Sequence, residues 1–325
     1  VRRSPTGEAI AAHAADEITI RNSQPAQADS GVRGPLDMDV ESDDAFPPEG
    51  VDLHKPSVAR VYDYLLGGDT NWAIDREFGD RILSVFPHAR PIAQANRQFL
   101  FRAVRQLMRR GVRQFVDLGA GVPTMGHTHL VADAFQAATA RVVYVDNEPV
   151  AVAESQILLE TSGDPQRHTA INADVRAPRR LWQQVLDTEL IDLDEPVAIL
   201  LIAVLHVEQA GADGRDIGAE VVARYRDLLP RGSYLAITHV TDDGVGDVVA
   251  GQLRDIKELY DKAGNRVVWR SRAEIAALFG DFELLAPGVT WVPEWHPEET
   301  GYAGEVPDFD RPSESVIYGG VGRKP

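Results

Sequence analysis

Between about residues 56 and 110, apolar residues recur at helical spacing. From residue 113 the pattern changes to short, nearly continuous apolar runs separated by amphipathic stretches. Val58, Val61, Tyr62 and Leu65 share one face of a helix predicted to begin at Pro56 and to end at Gly67, where glycine can take the left-handed conformation. A second helix is predicted from about Ile74 to Leu83, and a third from about Pro91 to Arg110, stopped by Gly111. In the third, Leu100, Val104 and Leu107 form an apolar stripe. Arg102, Arg105 and Arg109 form a basic one, read as a solvated face.

The runs "RQFVDLG", "RVVYVD", "HTAINAD", "PVAILLIAV" and "GSYLAITHV" read as five buried strands. Helices are predicted between them at about 127–137, 149–161, after Pro178, and around 215–229, with another around 247–263 after the fifth strand. "SRAEIAALF" follows as a helix opened by a capping box, Ser271 with Glu274. Two late strands close the chain, "FELLAPGVTWV" and "ESVIYGGVG". Apolar strands alternating with helices predict an α/β fold, a doubly wound and mainly parallel sheet. The organisation expected is a disordered tail at 1–50, a helical cap or lid at 51–111 and a nucleotide-binding core at 112–325. No internal repeat is visible. Met38 lies within the tail, in "GPLDMDVESDD", as an alternative translation start to Val1. Peptides from residues 1–37 in the natural protein would remove that reading.

Composition narrows the partners. The chain has 325 residues and a net charge of -17, which argues against nucleic acid or an anionic membrane as a general partner. It contains no cysteine, so disulfides, thiolate nucleophiles and cysteine-ligated metals are excluded. The longest apolar run, "PVAILLIAVLHV", is shorter than a membrane span, and the N-terminus lacks a signal-peptide core. The expectation is a cytoplasmic protein, and a homo-oligomer is allowed.

The strongest chemical signal is "FVDLGAGVPTMG". A buried strand ends at Asp117, and the turn that follows holds Gly119, Ala120 and Gly121. In an open parallel sheet this turn lies where ligands bind. The dinucleotide pattern G-x-G-x-x-G is broken, because the third glycine is late, at Gly126, and Pro123 interrupts the turn. The loop suits a small zwitterion better than a pyrophosphate. Asp146, beside Asn147 at the end of the second strand, can accept both ribose hydroxyls, or cap the next helix. Asp174 ends the third strand, where it can accept from an adenine amino group while the backbone of Val175 reads the ring edge; a turn aspartate is the plainer reading.

Three carboxylates closing three consecutive strands, with a glycine turn after the first, resemble the class I S-adenosylmethionine-dependent methyltransferases over about residues 112–325. That resemblance implies a seven-stranded Rossmann-like sheet. "HKPSVARVYDYLLGGDTNWAIDREFGDRIL", "ANRQFLFRAVRQL" and "VVYVDNEPVAVAE" narrow it to one bacterial methyltransferase family of largely unassigned substrates, over about residues 52–320. His127 departs from that family, which usually has asparagine there, whereas His129 matches. The resemblance implies S-adenosyl-L-methionine as cofactor, held by the residues above together with Tyr62, Gly67, Gly68, Asn71 and Ala203.

The expected activity is methyl transfer to an O, N or C atom of a small molecule. His206, after the fourth strand, is the candidate general base near neutral pH, with Tyr62, Glu208 and His239 as competitors. No metal is expected, because His127 and His129, at i and i+2, should diverge. The alternatives are an NAD-dependent oxidoreductase and a non-catalytic cofactor sensor or scaffold.

Overall fold

The computed structural model describes residues 51–299, 307 and 309–325; the predicted tail and Met38 lie outside them. Three helices come first: α1 (Val58–Leu66), α2 (Ala73–Val85) and α3 (Ala89–Arg109). Helix α1 starts two residues later than predicted: Ser57 takes the extended N-cap position, so Pro56 precedes the helix instead of opening it, and Gly67 closes it at φ 84°. Five strands follow: β1 (Gln114–Leu118), β2 (Arg141–Asp146), β3 (His168–Asn172), β4 (Val197–Leu201) and β5 (Tyr234–Val240). Five helices lie between and after them: α4 (Thr128–Phe135), α5 (Pro149–Ser162), α6 (Pro178–Leu186), α7 (Gly218–Leu228) and α8 (Asp247–Lys262). Helix α9 (Arg272–Ala277) carries the Ser271–Glu274 capping box.

The sheet order is β3-β2-β1-β4-β5-β8-β6, where β8 is Ile317–Arg323 and runs antiparallel to β5. The predicted late strand at 282–292 is interrupted. Its two ends, β6 (Glu283–Leu284) and β7 (Thr290–Trp291), both pair with β8. They share the seventh position of a class I methyltransferase sheet, so seven positions hold eight strand segments.

Period-2 alternation divides the core. Phe115, Val142, Tyr144, Ala198 and Leu200 face α3 and its neighbours, while Val116, Val143, Val145, Ile199 and Leu201 pack with Leu181, Val222 and Tyr225 on the other side. In α3 the stripe Leu100, Val104 and Leu107 is fully buried. Of the basic stripe only Arg109, half exposed, keeps the solvated character expected. Arg102 is 4% exposed and donates to the carbonyls of Trp295 (2.8 Å) and Val292 (2.6 Å), and Arg105 and Arg109 pair with Glu299. These arginines tether a later segment of the chain to α3, a contact that local periodicity cannot reveal. No helix among the described residues is long and apolar enough to cross a membrane.

Candidate functional site

The chain reverses direction across the sheet between β1 and β4, because β2 and β3 lie on one side of β1 and β4 on the other. Ligands bind at such a switch point, beyond the carboxyl ends of the strands. A cavity of about 540 Å3 lies there. Its walls include Gly119, Ala120 and Gly121 after β1, Asp146 and Asn147 at the end of β2, and Val175 after β3. Ile202, Ala203 and His206 after β4 complete them, with Tyr62, Asn96 and Arg97 from the N-terminal helices.

The turn geometry requires its glycines. Gly119 and Gly121 have φ of 67° and 70°. A Cβ at Gly119 would come within 2.6 Å of Val204 Cγ2, while one at Gly121 would meet nothing within 4 Å, so the backbone there is open to a ligand. Asp146 holds the turn from β2: its carboxylate accepts from Gly121 N–H (2.8 Å) and Glu148 N–H (2.8 Å). Burial raises its pKa. Ala203, just past β4, sits at φ 62°, a strained conformation for a residue with a side chain.

Other expected residues stand elsewhere. Asp117 accepts from Thr128 Oγ1 (2.8 Å) and lines an adjoining cleft of about 10 Å3 with Arg97, Ala120 and Gly121. Burial pushes it up to about 6, against the charge of Arg97 and the Thr128 bond. Asp174 lies beyond the end of β3, is not on the cavity wall, and is paired with Arg176 (2.6 Å), whose hydrogen bonds lower its pKa. Val175 and Arg176 take the wall position instead.

Gly67, Gly68 and Asn71 do not line the cavity. Asn71 Nδ2 donates to Asp63 Oδ2 (2.7 Å) and to the Gly68 carbonyl (2.9 Å); it does not cap α2, whose N-cap is Trp72. Asp63 in turn accepts from the Thr124 hydroxyl in the glycine turn. A Cβ at Gly68 would run into the Asp63 carboxylate and come within 2.6 Å of Thr124 Cγ2. The run "YDYLLGG" therefore fastens α1 to the turn after β1.

The candidate bases also change character. Burial, then His239 and Arg270, lowers His206 to about 3, so it is a neutral hydrogen-bonding group at neutral pH. Tyr62 donates its hydroxyl to the Ala93 carbonyl (3.1 Å) and accepts from Asn96 Nδ2 (3.0 Å), and burial raises its pKa. It is a wall residue whose proton is already committed. His239 is buried, with Nδ1 against the Val240 carbonyl (2.6 Å) and Nε2 against the Arg270 guanidinium (2.6 Å), and Glu208 faces Arg266 at 3.8 Å. His127 and His129 do not diverge: extended backbone at the N-cap His127 lets the two rings stack 5.8 Å apart. Among the described residues no group of three or more side chains could hold a metal ion.

Sequence reading missed four residues. Arg97 donates to the carbonyls of Met125 (3.0 Å) and Gly126 (2.6 Å) and lies on the cavity wall. Asn96 precedes it. Arg60, 1% exposed, bonds Asp75 (2.8 Å) and Glu148 (3.2 Å), joining α1 and α2 to the end of β2. All four, Glu148 included, lie in segments that carry the family resemblance, and for the buried Arg60 and Asn96 a polar residue at an otherwise apolar helix position is the available signal.

The S-adenosyl methyltransferase family pattern matches residues 44–325. A crystal structure from Thermobifida fusca YX, described as a candidate methyltransferase, is 35% identical, with a TM-score of 0.72 over 86% of this chain and 99% of that one. A DUF574 family protein from Streptomyces avermitilis MA-4680 is 31% identical, with a TM-score of 0.73 over 84% of this chain and 98% of that one. Among curated proteins there is no match.

Proposed function

This chain belongs to the S-adenosyl methyltransferase family, and on that premise we propose that the switch-point cavity holds S-adenosylmethionine and that residues 51–111 close its methyl side over a small-molecule acceptor. The observation that carries the reading is the convergence of the Gly119–Gly121 turn, Asp146 and Val175 on one cavity at the strand ends.

The residues fit the cofactor. The open backbone at Gly121 and the cation of Arg97 suit its amino-acid end, Asp146 suits the ribose hydroxyls, and the Val175 backbone suits the adenine edge. When bound, the cofactor supplies a methyl group on a sulfonium, an activated electrophile. The work left to the chain is to hold the acceptor in line and exclude water. Tyr62 and Ala203 shape the wall, and neutral His206 orients a polar group without titrating near pH 7. The acceptor atom is O, N or C.

The nicotinamide reading gives way to the family match and to the displaced third glycine. The net charge of -17, and the engagement of Arg102, Arg105 and Arg109 with the chain itself, disfavour a nucleic-acid acceptor. Calorimetry tests the reading. S-adenosylhomocysteine should bind, NADH should not, and Asp146→Ala should weaken S-adenosylhomocysteine at least tenfold, about 1.4 kcal/mol. Absence of S-adenosylhomocysteine binding would overturn it. Cofactor binding with no turnover across a broad acceptor panel would favour the sensor alternative.

A further inference from the structure

Beside the larger cavity lies a second chamber of about 110 Å3, between helices α1–α3 on one side and α8, residues 267–269 and the start of β8 on the other. It shares Tyr62, Asn96, Ala203, His206 and Tyr260 with the larger cavity. The rest of its wall is mainly apolar, including Leu65, Ile82, Phe86, Leu253 and Ile317. Among the described residues no Asp, Glu, Lys or Arg lines it. A charged ligand would surrender its hydration there and gain no counter-charge. This chamber is smaller than the cavity of about 150 Å3 that takes up benzene, so one ring is its upper limit and the ligand's polar end must reach toward the shared wall.

Three of its residues carry buried polar atoms with no hydrogen-bond partner: Asn96 Oδ1, His206 Nδ1 and Trp269 Nε1. Such atoms are rare in folded proteins because an unmade buried bond is costly. Asn96 Oδ1 only accepts and Trp269 Nε1 only donates. A hydroxyl carries both the donor that Asn96 Oδ1 lacks and the acceptor that Trp269 Nε1 lacks. An ammonium cannot accept, and a carboxylate cannot donate. Asn96 and His206 line both cavities, which puts the polar end of such a ligand at the shared wall.

We propose that this chamber is the acceptor subsite and takes a neutral, ring-sized, hydroxyl-bearing molecule of the phenol class. The assignment to an acceptor rests on the methyl-donor reading of the larger cavity. In the transfer the acceptor oxygen forms the new carbon–oxygen bond as the methyl carbon's bond to sulfur breaks, with that electron pair remaining on sulfur. The single hydroxyl hydrogen, held on Asn96 Oδ1 in the bound state, turns to the unpartnered His206 Nδ1 as the carbon–oxygen bond forms, and passes from there to solvent in the larger cavity. A weak base suffices, because an oxygen that is gaining a methyl group becomes a far stronger acid than an imidazolium.

The test uses the full chain with its tryptophan indole N–H groups labelled. Phenol, toluene, benzoate and benzylamine are titrated with and without S-adenosylhomocysteine, and the Trp269 signal is assigned by its loss in Trp269→Phe. Phenol should move that signal and bind at least tenfold more tightly than benzoate or benzylamine, and about tenfold more tightly than toluene. Trp269→Phe should reduce the phenol–toluene difference to less than threefold. Similar affinity for all four probes, preference for a charged one, or an unmoved Trp269 signal would overturn the proposal. Phenol binding without S-adenosylhomocysteine binding would keep the ligand class and overturn the methyl-donor reading; the reverse pattern would overturn the chamber and keep the donor.

Discussion

The carboxylate of Asp63 on α1 accepts the hydroxyl hydrogen of Thr124, so the first helix is joined directly to the turn that follows β1. Asp63 is buried and also accepts from Asn71 Nδ2 at 2.7 Å. Hydrogen bonds to a charged group contribute about 1.5–3 kcal/mol each, and their donors are stranded when the acceptor goes. Asp63→Ala should lower stability by about 3 kcal/mol in urea unfolding and weaken S-adenosylhomocysteine at least tenfold. Gly68→Val forces a branched side chain into the same place and should produce both losses. Unchanged affinity in the folded fraction would reduce α1 to a connector.

Asp117 gives a pH signature. Burial raises it from 3.8 to about 6, so the folded chain holds this proton more tightly than the unfolded chain does. Its contribution is therefore fully present below pH 3.8 and is lost as pH rises through 6. Asparagine in its place carries no such pH dependence and can still accept from Thr128. The stability of Asp117→Asn relative to the parent should rise between pH 4 and 7. The rise should be at most about 3 kcal/mol, because each tenfold difference in proton affinity between the folded and unfolded chain is worth about 1.4 kcal/mol. Urea unfolding at several pH values between 4 and 7 measures the difference; a constant difference contradicts it.

His206 has the opposite displacement. Burial, His239 and Arg270 lower it to about 3 from 6.5, so the stability tied to its neutral form is present above pH 6.5 and is lost as pH falls toward 3. Imidazole nitrogen shifts should stay those of a neutral ring down to about pH 4.5. A midpoint near 6.5 would mean that water reaches the ring freely and would restore it as a base that titrates near neutrality.

Arg102 and Arg109 lie on one helix and should behave differently. Arg102 is buried, and burial lowers it only to about 10, so it remains a cation serving the carbonyls of Val292 and Trp295. Arg102→Ala should cost about 3 kcal/mol, since two charge-assisted bonds and their packing go together. Arg109 is half exposed on Glu299, and Arg109→Ala should leave the urea midpoint unchanged. Equal effects from both would contradict the tether.

The strands and helices were legible because burial on both faces writes continuous apolar runs such as Val197–Leu201, and burial on one face writes the stripe Leu100, Val104 and Leu107. That Gly119, Gly121 and Asp146 would come together beyond the strand ends was legible because the turn and the strand end are local. Asp63 and Arg102 were not, since their partners Thr124 and Trp295 lie 61 and 193 residues away. Arg97 was hidden differently. On a helix already carrying several arginines, nothing local separates the one on the cavity wall from the one buried under Trp295.

Arg97 therefore carries the most discriminating cofactor prediction. It donates to the carbonyls of Met125 and Gly126, and no ion pair joins it to a carboxylate among the described residues. A ligand carboxylate in the cavity would gain a charge-assisted bond there. Arg97→Gln should then weaken S-adenosylmethionine about tenfold or more, corresponding to about 1.4 kcal/mol per factor of ten. Arg97 also steadies the turn, so a loss alone would be ambiguous. Decarboxylated S-adenosylmethionine separates the two roles, because it keeps every other group of the cofactor. If Arg97 meets the carboxylate, the substitution should change binding of the decarboxylated compound less than twofold. Equal losses for both compounds would assign Arg97 to the turn alone and leave the cofactor's amino-acid end to the backbone around Gly121.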